Sequence, residues 1–283
     1  DVRRSPEAGL KYFVYGSVSS ALFLFGLSLI YGMTGSTRLD AIRAAFSATS
    51  LSTGLSGNIA GATAVLLLLV GFGFKIAAVP FHQWAPDTYE GAPAPISALI
   101  ASGSKVASVV ALLKVFDHAL LAWGAPHGAI LRPGWIGVLS VVAAVTMTYG
   151  NLAALAQRNL KRLLAYSSIA HAGYLLVGVL AVAVRPANER AAGAVLFYLI
   201  VYSITTAGAF ALAAWLARDV HRDDIEDLNG LGRRSPLLSV CIVLLMLSLI
   251  GMPPLAGFFG KLYMFMEALD QGRGGRMTLL WLV

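Results

Sequence analysis

The sequence predicts an all-α protein, a polytopic bundle of transmembrane helices. The chain is 58% hydrophobic and only 12% charged, whereas a soluble domain averages about 25% charged residues. Apolar runs long enough to cross a bilayer, which takes about 20 helical residues, recur along its whole length. Two of these runs are interrupted by proline, one near Pro80 and the other at Pro253 and Pro254. We therefore expect an integral membrane protein with two broken helices.

The charge and cysteine content argue against other classes of protein. The net charge of +7 arises from 21 Lys and Arg against 14 Asp and Glu. Most basic residues lie in short loops between apolar spans, as topology determinants do, so binding to nucleic acid is not expected. The single Cys241 excludes an internal disulfide framework and a cysteine-ligated metal cluster. We expect neither a metal nor an electron-carrying cofactor in this chain.

Eight apolar spans, A to H, follow one another along the sequence. A polar, basic lead-in precedes span A, and the segment LDAIRAAFSA after it predicts a short interfacial helix. Span G would measure roughly 50 Å as a straight helix, far more than a bilayer core needs, so its prolines predict a break. The predicted spans are Tyr12–Met33 (A), Gly61 to Pro80 (B), Ile96–Phe116 (C), Gly134–Ala156 (D), Leu163–Val184 (E), Ala191–Ala217 (F), Pro236 to about Leu269 (G) and Met277 onwards (H).

Two lysines lie inside spans B and C. Lys75 comes just before the proline break of span B, and Lys105 lies about 14 Å along span C, close to the bilayer midplane. An ionisable group at that depth costs about 2.5–3.5 kcal/mol on insertion scales, so it is a functional-site candidate. Lys114 lies near the end of span C, where its stem can reach the interface.

Spans E, F and G carry further polar candidates. Lys261 follows the break in span G and is thereby drawn into the membrane, and His171 lies about eight residues into span E. A buried histidine can relay protons or simply satisfy a core hydrogen bond. The hydroxyl groups of span F can bond across helices, the commoner role of polar residues in such bundles. They belong to Tyr198, Tyr202, Thr205 and Thr206.

A proline- and aromatic-rich elbow, residues 81–95, joins spans B and C. It carries His82, Asp87 and Glu90 among its prolines. One interpretation is an interfacial elbow with an aromatic belt, as found at the edges of membrane proteins. The alternative is that one of these three side chains feeds protons into the membrane.

The row of buried lysines suggests proton transfer. Burial and a neighbouring like charge both disfavour the charged ammonium group, so such lysines can pass protons along through intervening water. The alternative is that each lysine pairs with a carboxylate and holds helices together. The interiors of spans A to F contain almost no Asp or Glu, which favours the relay.

The two broken spans predict an internal repeat. Spans B and G both carry a lysine near a proline break, which is typical of repeated transporter halves, and they lie five spans apart, so the repeats run in opposite directions. Residues 1–120 would hold the last three spans of a first five-helix repeat, and residues 134–283 a second repeat, truncated in its last span. Two earlier spans would precede Asp1. We thus expect a fragment of a longer chain, with residue 1 on the cytoplasmic side, where the loops carry more Lys and Arg.

Four long motifs carry a family resemblance. They are VPFHQWAPDTYEGAPAPISA, SGSKVASVVALLKVF, NLAALAQRNLKRLLAYSSIAHAGYLLVG and SLIGMPPLAGFFGKLYMF. With them the sequence resembles the antiporter-like membrane subunits of proton-pumping NADH:quinone oxidoreductase, respiratory complex I. The DTYEGAP turn and the lysine at position 105 favour the N subunits (NADH dehydrogenase subunit 2) over the sister L and M subunits.

The resemblance implies a function and a location. Lys75 and Lys105 would form the central relay with a glutamate upstream of Asp1, and Lys261 would lead to the outlet. NADH and quinone would be bound by other subunits, with no redox centre here. The partners would be the other membrane subunits of complex I and the lipid of the inner (plasma) membrane. The alternatives are a subunit of a multi-subunit sodium/proton antiporter and a passive membrane scaffold.

Overall fold

Helices make up almost all of the computed structural model, which describes residues 4–48, 59–123, 134–184, 189–219 and 224–273. Six helices in these ranges are long and apolar enough to cross a membrane. They coincide with predicted spans A to F. The all-α transmembrane class is therefore confirmed, and the protein is a multi-pass membrane protein.

The helices follow the predicted order. Spans A to C correspond to α1, α3 and a composite helix, while spans D to F correspond to α7, α8 and α9. Their bounds are α1 Arg4–Thr34, α2 Leu39–Ala48, α3 Ile59–Ile76, α4 Trp84–Gly91, α5 Ala94–Leu99, α6 Lys105–Leu113, α7 Trp135–Leu155, α8 Leu160–Val184, α9 Glu189–Asp219, α10 Leu231–Arg234, α11 Pro236–Ile250 and α12 Ala256–Arg273.

The first helix begins earlier than the sequence predicts. The lead-in to span A is helical from Arg4 onwards. Its polar side chains are paired: Lys11 lies 2.6 Å from Glu7, one turn before it, and 2.7 Å from Asp87 of α4. Because these contacts stabilise a polar turn that hydropathy alone does not recognise, the prediction that the helix begins at Tyr12 was wrong by about two turns.

Span C is one continuous run of helix that changes its winding. α5 passes into a π-helical turn at Ile100–Ser104, then into α6, and a second π-helical turn covers Lys114–Ala119. π-helical turns inside α-helices occur frequently at functional sites. The first of them ends immediately before Lys105.

Helix α8 occupies the centre of the bundle. Its side chains are almost all buried from Leu164 to Val184, and it packs against α4, α7, α9 and α12. A helix that is apolar all round belongs in the interior of a bundle. The polar residues that α8 carries are consequently placed in the core.

The break in span B lies where the prolines predict it. α3 ends at Ile76, one residue after Lys75, and the next helix starts at Trp84. Ala77, just past the helix end, has a positive φ of 59°, a conformation that few residues other than glycine adopt. The chain thus turns sharply directly beyond the lysine.

The break in span G is also confirmed. α11 ends at Ile250, Gly251 takes a left-handed conformation with φ 88°, and α12 starts at Ala256. Glycine at this position is the usual terminator of a helix, because it lacks the Cβ that hinders positive φ. Lys261 lies on α12, just over one turn past its start.

One predicted span and part of one loop lie outside the described residues. The span is H, from Met277. Of the charged loop between spans F and G, the short helical turns Ile225–Leu228 and α10 are described, and neither holds a buried side chain.

Candidate functional site

Lys105 is the most deeply buried charged side chain among the described residues, with 1% of its surface exposed. Its Nζ donates to two atoms of Ser168 on α8, the backbone oxygen at 2.5 Å and the side-chain Oγ at 2.6 Å. It also lies 5.5 Å from the ring centre of Tyr202. No carboxylate among the described residues pairs with it. A buried lysine whose contacts are all neutral has no counter-charge to keep it permanently ionised, which suits a group that gains and loses a proton.

Ser104 and Lys105 are neighbours in span C but face different parts of the protein. Ser104, the last residue of the π-helical turn, lines an open cavity beside α1 and α3, whereas Lys105 is directed at α8 and α9. Neighbouring residues on a helix point about 100° apart, since a turn takes 3.6 residues. Ser104 therefore faces the cavity, whereas Lys105 faces α8 and α9.

His171 lies three residues beyond Ser168, on the same face of α8. Its Nδ1 is hydrogen-bonded to the hydroxyl of Tyr198. Its ring lies 5.1 Å from the ring of Tyr202 and 5.4 Å from that of Tyr174. The side chain is 4% exposed, so this histidine is both satisfied as a core residue and placed next to the lysine site.

Lys261 approaches the same face from α12. Its Nζ donates to the backbone oxygens of Leu249 at 2.8 Å and Ile250 at 3.1 Å, which α11 leaves free at its end. It also lies 4.8 Å from the ring centre of Tyr174, a cation–π distance. The hydroxyl of Tyr174 accepts in turn from Asn151 of α7 at 2.8 Å.

These side chains form one strip between α6, α8, α9 and α12, which we call the polar strip. Tyr202 donates to Ser168 Oγ at 2.9 Å, and the rings of Tyr198 and Tyr202 lie 6.3 Å apart. In a membrane protein, polar residues of this kind line the paths of ions or protons. The strip consists of Lys105, Ser168, Tyr202, His171, Tyr198, Tyr174 and Lys261.

Lys75 lies outside the polar strip. Its side chain is exposed and lines the cavity beside α1 and α3, which has a volume of about 820 Å³. Its Nζ lies 3.4 Å from the hydroxyl of Tyr12. Ser104 and Ser108 line the same cavity from the Lys105 helix. Lys75 thus lies on one side of span C, whereas the side chain of Lys105 points to the other side.

The elbow carboxylates hold three helices together. Asp87 of α4 receives hydrogen bonds from Lys11 of α1 at 2.7 Å and from Arg162 of α8 at 2.8 Å, and Arg162 also binds Glu90 at 2.9 Å. Burial by itself raises the pKa of Asp87, but the hydrogen bonds and charges of Lys11 and Arg162 outweigh it and hold that pKa below its usual value. Asp87 is therefore an ionised clamp, and its part in proton entry remains a prediction.

His82 has a different environment from the two carboxylates. It is 8% exposed, and its ring lies 4.6 Å from that of Tyr149. Burial lowers its pKa, so the neutral form is favoured. Its Nδ1 is buried without a hydrogen-bond partner among the described residues. The role of His82 in proton entry likewise remains a prediction.

Sequence reasoning missed Ser168, Tyr174 and the ion pairs of Arg162. The signal for the first two was available: Ser168, His171 and Tyr174 are spaced three apart, which places them on one helix face. The contacts of Arg162 involve residues more than 70 positions away, and spacing cannot reveal those. Within the described ranges, no three His, Cys, Asp or Glu side chains come together as metal ligands.

Comparison with known proteins identifies the family. The family described as "NADH:quinone oxidoreductase/Mrp antiporter, TM" matches residues 1–281. This chain belongs to that family. Membership agrees with the resemblance seen in the four sequence motifs.

Individual relatives of this antiporter family are similar over nearly the whole chain. NADH-quinone oxidoreductase subunit N of Desulfitobacterium hafniense is 44% identical over 285 residues, covering 95% of this chain and 54% of the relative. A chain of respiratory complex I from Thermus thermophilus with bound aureothin is 40% identical, with a TM-score of 0.72. The match covers 98% of this chain and 56% of the Thermus chain.

A chain of the Mrp complex from Dietzia sp. has the same fold. Its TM-score is 0.80 at 25% identity, and the match covers 99% of this chain and 48% of its own. This chain spans about half the length of the family members that it matches.

Proposed function

We propose that this chain is part of a proton-translocating, N-type membrane subunit of an NADH:quinone oxidoreductase. Protons would pass through the buried lysines and intervening water, driven by quinone reduction in other subunits. Those subunits would bind NADH and quinone, so the translocation itself would be a non-redox step. The subunit would lie in the bacterial inner membrane among the other membrane subunits of complex I, with residue 1 on the cytoplasmic side.

The observation that carries this proposal is the environment of Lys105. A permanently charged structural lysine needs a carboxylate, since an unpaired buried charge is strongly destabilising. Lys105 has instead two oxygens of Ser168 and the face of Tyr202. Such neutral surroundings accommodate both the ammonium and the amine, which is the requirement for a proton carrier.

The remaining candidates take roles along the same path. Lys75 would exchange protons with Lys105 past span C, whose Ser104 and Ser108 line the cavity beside Lys75. His171 and Lys261, at the far end of the polar strip, would lead towards the outlet. His82, Asp87 and Glu90 in the elbow would be the candidates for proton entry.

The repeat organisation is part of this proposal. Residues 1–120 would hold the last three spans of a first inverted repeat, and residues 134–283 a second one. The two proline-broken helices support this assignment, because each has a lysine close to its break. Matching broken helices in two halves are the usual position of a transporter's ion path.

A sodium/proton antiporter subunit is the second candidate. The backbone similarity to the Mrp complex, with its TM-score of 0.80, favours it. The sequence identity of 44% to an NADH-quinone oxidoreductase subunit, against 25% for the Mrp chain, favours the first candidate. Sodium-driven proton movement without NADH would distinguish the antiporter from the oxidoreductase.

The test replaces Lys105 by alanine in the full-length chain within its assembled membrane complex. We expect Lys105→Ala to reduce NADH-driven proton pumping and quinone reduction together, on the order of a hundredfold, as for loss of an acid–base group. Both rates would be measured in membrane vesicles, after the amount of assembled complex has been shown to be normal.

Lys114→Ala is the matched control, because Lys114 is an exposed lysine on the same span. It should pump at the wild-type rate. Wild-type pumping by Lys105→Ala would contradict the proposal and leave Lys105 with a purely structural role.

A further inference from the structure

Lys105 meets two chemically different oxygens of one residue. The backbone oxygen of Ser168 lies 2.5 Å from Nζ and its Oγ lies 2.6 Å away. A carbonyl oxygen only accepts hydrogen bonds, whereas a hydroxyl group both donates and accepts. The carbonyl can hold the lysine in place in either protonation state, but it cannot return a proton to it.

The neutral amine needs a donor that the ammonium does not need. An ammonium group has three N–H donors and no lone pair, while the amine has two donors and one lone pair. Of the groups that contact Nζ, the Ser168 hydroxyl is the one that can donate to that lone pair among the described residues. The same Oγ lies 2.9 Å from the hydroxyl of Tyr202.

We propose that the Ser168 hydroxyl carries protons between Lys105 and Tyr202. This inference rests on the proposed function and assigns a further residue to the same site. In the step that reloads the lysine, the O–H bond of Ser168 breaks as a new N–H bond forms on the Lys105 amine. The phenol proton of Tyr202, which donates to Ser168 Oγ, replaces the lost Ser168 proton, and a protonated water molecule beside Tyr202 gives the phenol a new proton. One proton leaves the protonated water, one reaches Lys105, and both hydroxyl groups end neutral.

The surroundings make this hydroxyl chain short and dry. Lys105, Ser168 and Tyr202 are each no more than 2% exposed. Tyr202 lies on α9 and Ser168 on α8, so the two hydroxyls bridge the helices between which the polar strip runs. A chain of hydrogen bonds strengthens its members in a low-dielectric interior.

The test compares Ser168→Ala with Ser168→Thr in the full-length chain within the assembled complex. Alanine removes the hydroxyl and keeps the backbone oxygen that holds Lys105. We expect NADH-driven pumping in vesicles to fall about tenfold, which corresponds to one lost hydrogen bond. Threonine keeps the hydroxyl and should restore the rate to within about twofold of wild type, as one hydroxyl replaces another. Ser167→Ala, the next residue along α8, is the control and should pump normally.

A double-mutant cycle with Tyr202→Phe separates transfer from packing. Residues that act in one chain give non-additive losses, whereas independent contributions add. We therefore expect Tyr202→Phe to cost about as much as Ser168→Ala, and the double variant to be no slower than either. Losses that multiply would overturn the proposal, and so would failure of threonine to restore the rate.

Pumping at the wild-type rate in Ser168→Ala would also overturn it and would mean that water alone serves Lys105. If Ser168→Ala does not assemble, Tyr202→Phe carries the test, because it keeps the ring and removes only the hydroxyl. A wild-type rate there overturns the proposal. Lys105→Ala in the same vesicles identifies the failing proposal: normal pumping in that variant rejects the proposed function itself, whereas lost pumping leaves it standing.

Discussion

The two broken helices differ in the group that satisfies the broken end. In both, a proline interrupts the span and a lysine lies close by. At the end of α3 the backbone oxygen of Phe74 accepts from the amide of Ala77 at 3.1 Å and from the indole Nε1 of Trp84 at 3.0 Å. At the end of α11 the free oxygens of Leu249 and Ile250 accept from Lys261 itself.

The hydrogen bonds found at the first break come from groups other than its lysine. Besides the indole bond, the amide of Ala78 donates to Gly73 at 2.8 Å, and the amide of Val79 donates to the hydroxyl of Thr146 on α7 at 3.0 Å. Lys75 is consequently left exposed to the cavity beside α1 and α3, with Tyr12 at 3.4 Å.

The difference separates two kinds of membrane lysine. Lys261 completes the end of its own broken helix with its N–H groups, and removing it leaves two carbonyl groups without that donor. Within the described residues Lys75 does not donate to the end of its own helix, so its side chain is available to exchange protons. Similar sequence patterns around a break thus give two lysines with different structural roles.

The largest expected effect is that of Gly257→Ala at the second break. A Cβ at Gly257 would lie 1.9 Å from the backbone oxygen of Ser248 on α11, so α12 would have to move away from α11. Overpacking costs typically about 1–3 kcal/mol and occasionally more, and here we expect at least the upper figure. The measurement is the thermal unfolding midpoint of the purified protein, together with the amount of assembled complex.

Gly73→Ala at the first break is the matched comparison. A Cβ there meets the ring of Phe81 at 2.6 Å, and a side chain can move where a backbone cannot. We expect the smaller loss for Gly73→Ala. An equal loss for the two variants would show that close backbone packing is not what distinguishes the second break.

The next effect in size is that of Lys261→Leu. The substitution removes the donor for the oxygens of Leu249 and Ile250, which lie 2.8 and 3.1 Å from Nζ. A buried acceptor without a partner costs about 1–3 kcal/mol, so we expect a loss of about 2 kcal/mol in unfolding free energy. Chemical denaturation in detergent would measure it.

Lys75→Leu is the companion variant, and it should cost much less stability while affecting proton pumping. Equal losses of stability in the two variants would contradict the distinction between a lysine that completes a helix end and one that is available for exchange.

Much of this architecture follows from the composition of the chain, the lengths of its apolar runs and the positions of its prolines. The apolar runs located six spans, and the prolines located both breaks, because lipid imposes long helices and proline removes a backbone donor. Helical rise also placed Lys105 near the bilayer midplane, and that depth stays a prediction. The structure shows that the side chain is buried in the bundle, at 1% exposure.

What could not be predicted depends on contacts between distant residues or on local winding. The π-helical turn before Lys105 has no marker in SGSKVAS. The first turns of α1 were missed because the partner of Lys11, Asp87, is 76 residues away. The two sides of span C, with Lys75 on one and Ser168 on the other, likewise emerge only from the packing.

The smallest expected effect belongs to Asp87→Asn, in the helix that follows the first break. The ionised carboxylate binds Lys11 and Arg162 and so ties α4 to α1 and α8. Partly exposed ion pairs contribute below about 1 kcal/mol each. Its pKa is held below the usual value, so the carboxylate stabilises the fold above the unfolded pKa of about 3.9. That contribution is lost as the pH falls through the lower, folded value.

The unfolding midpoint of Asp87→Asn should therefore fall slightly below wild type at pH 7, and the two should converge as the pH drops below about 3.9. Asp40→Asn is the control, because Asp40 lies 3.8 Å from Arg38 with both side chains more than 80% exposed, and it should leave the midpoint unchanged at either pH. A difference for Asp87→Asn that stayed constant at low pH would mean that Asp87 acts through its shape or its neutral hydrogen bonds. The clamp would then not be electrostatic, and the first break would depend on packing in the same way as the second.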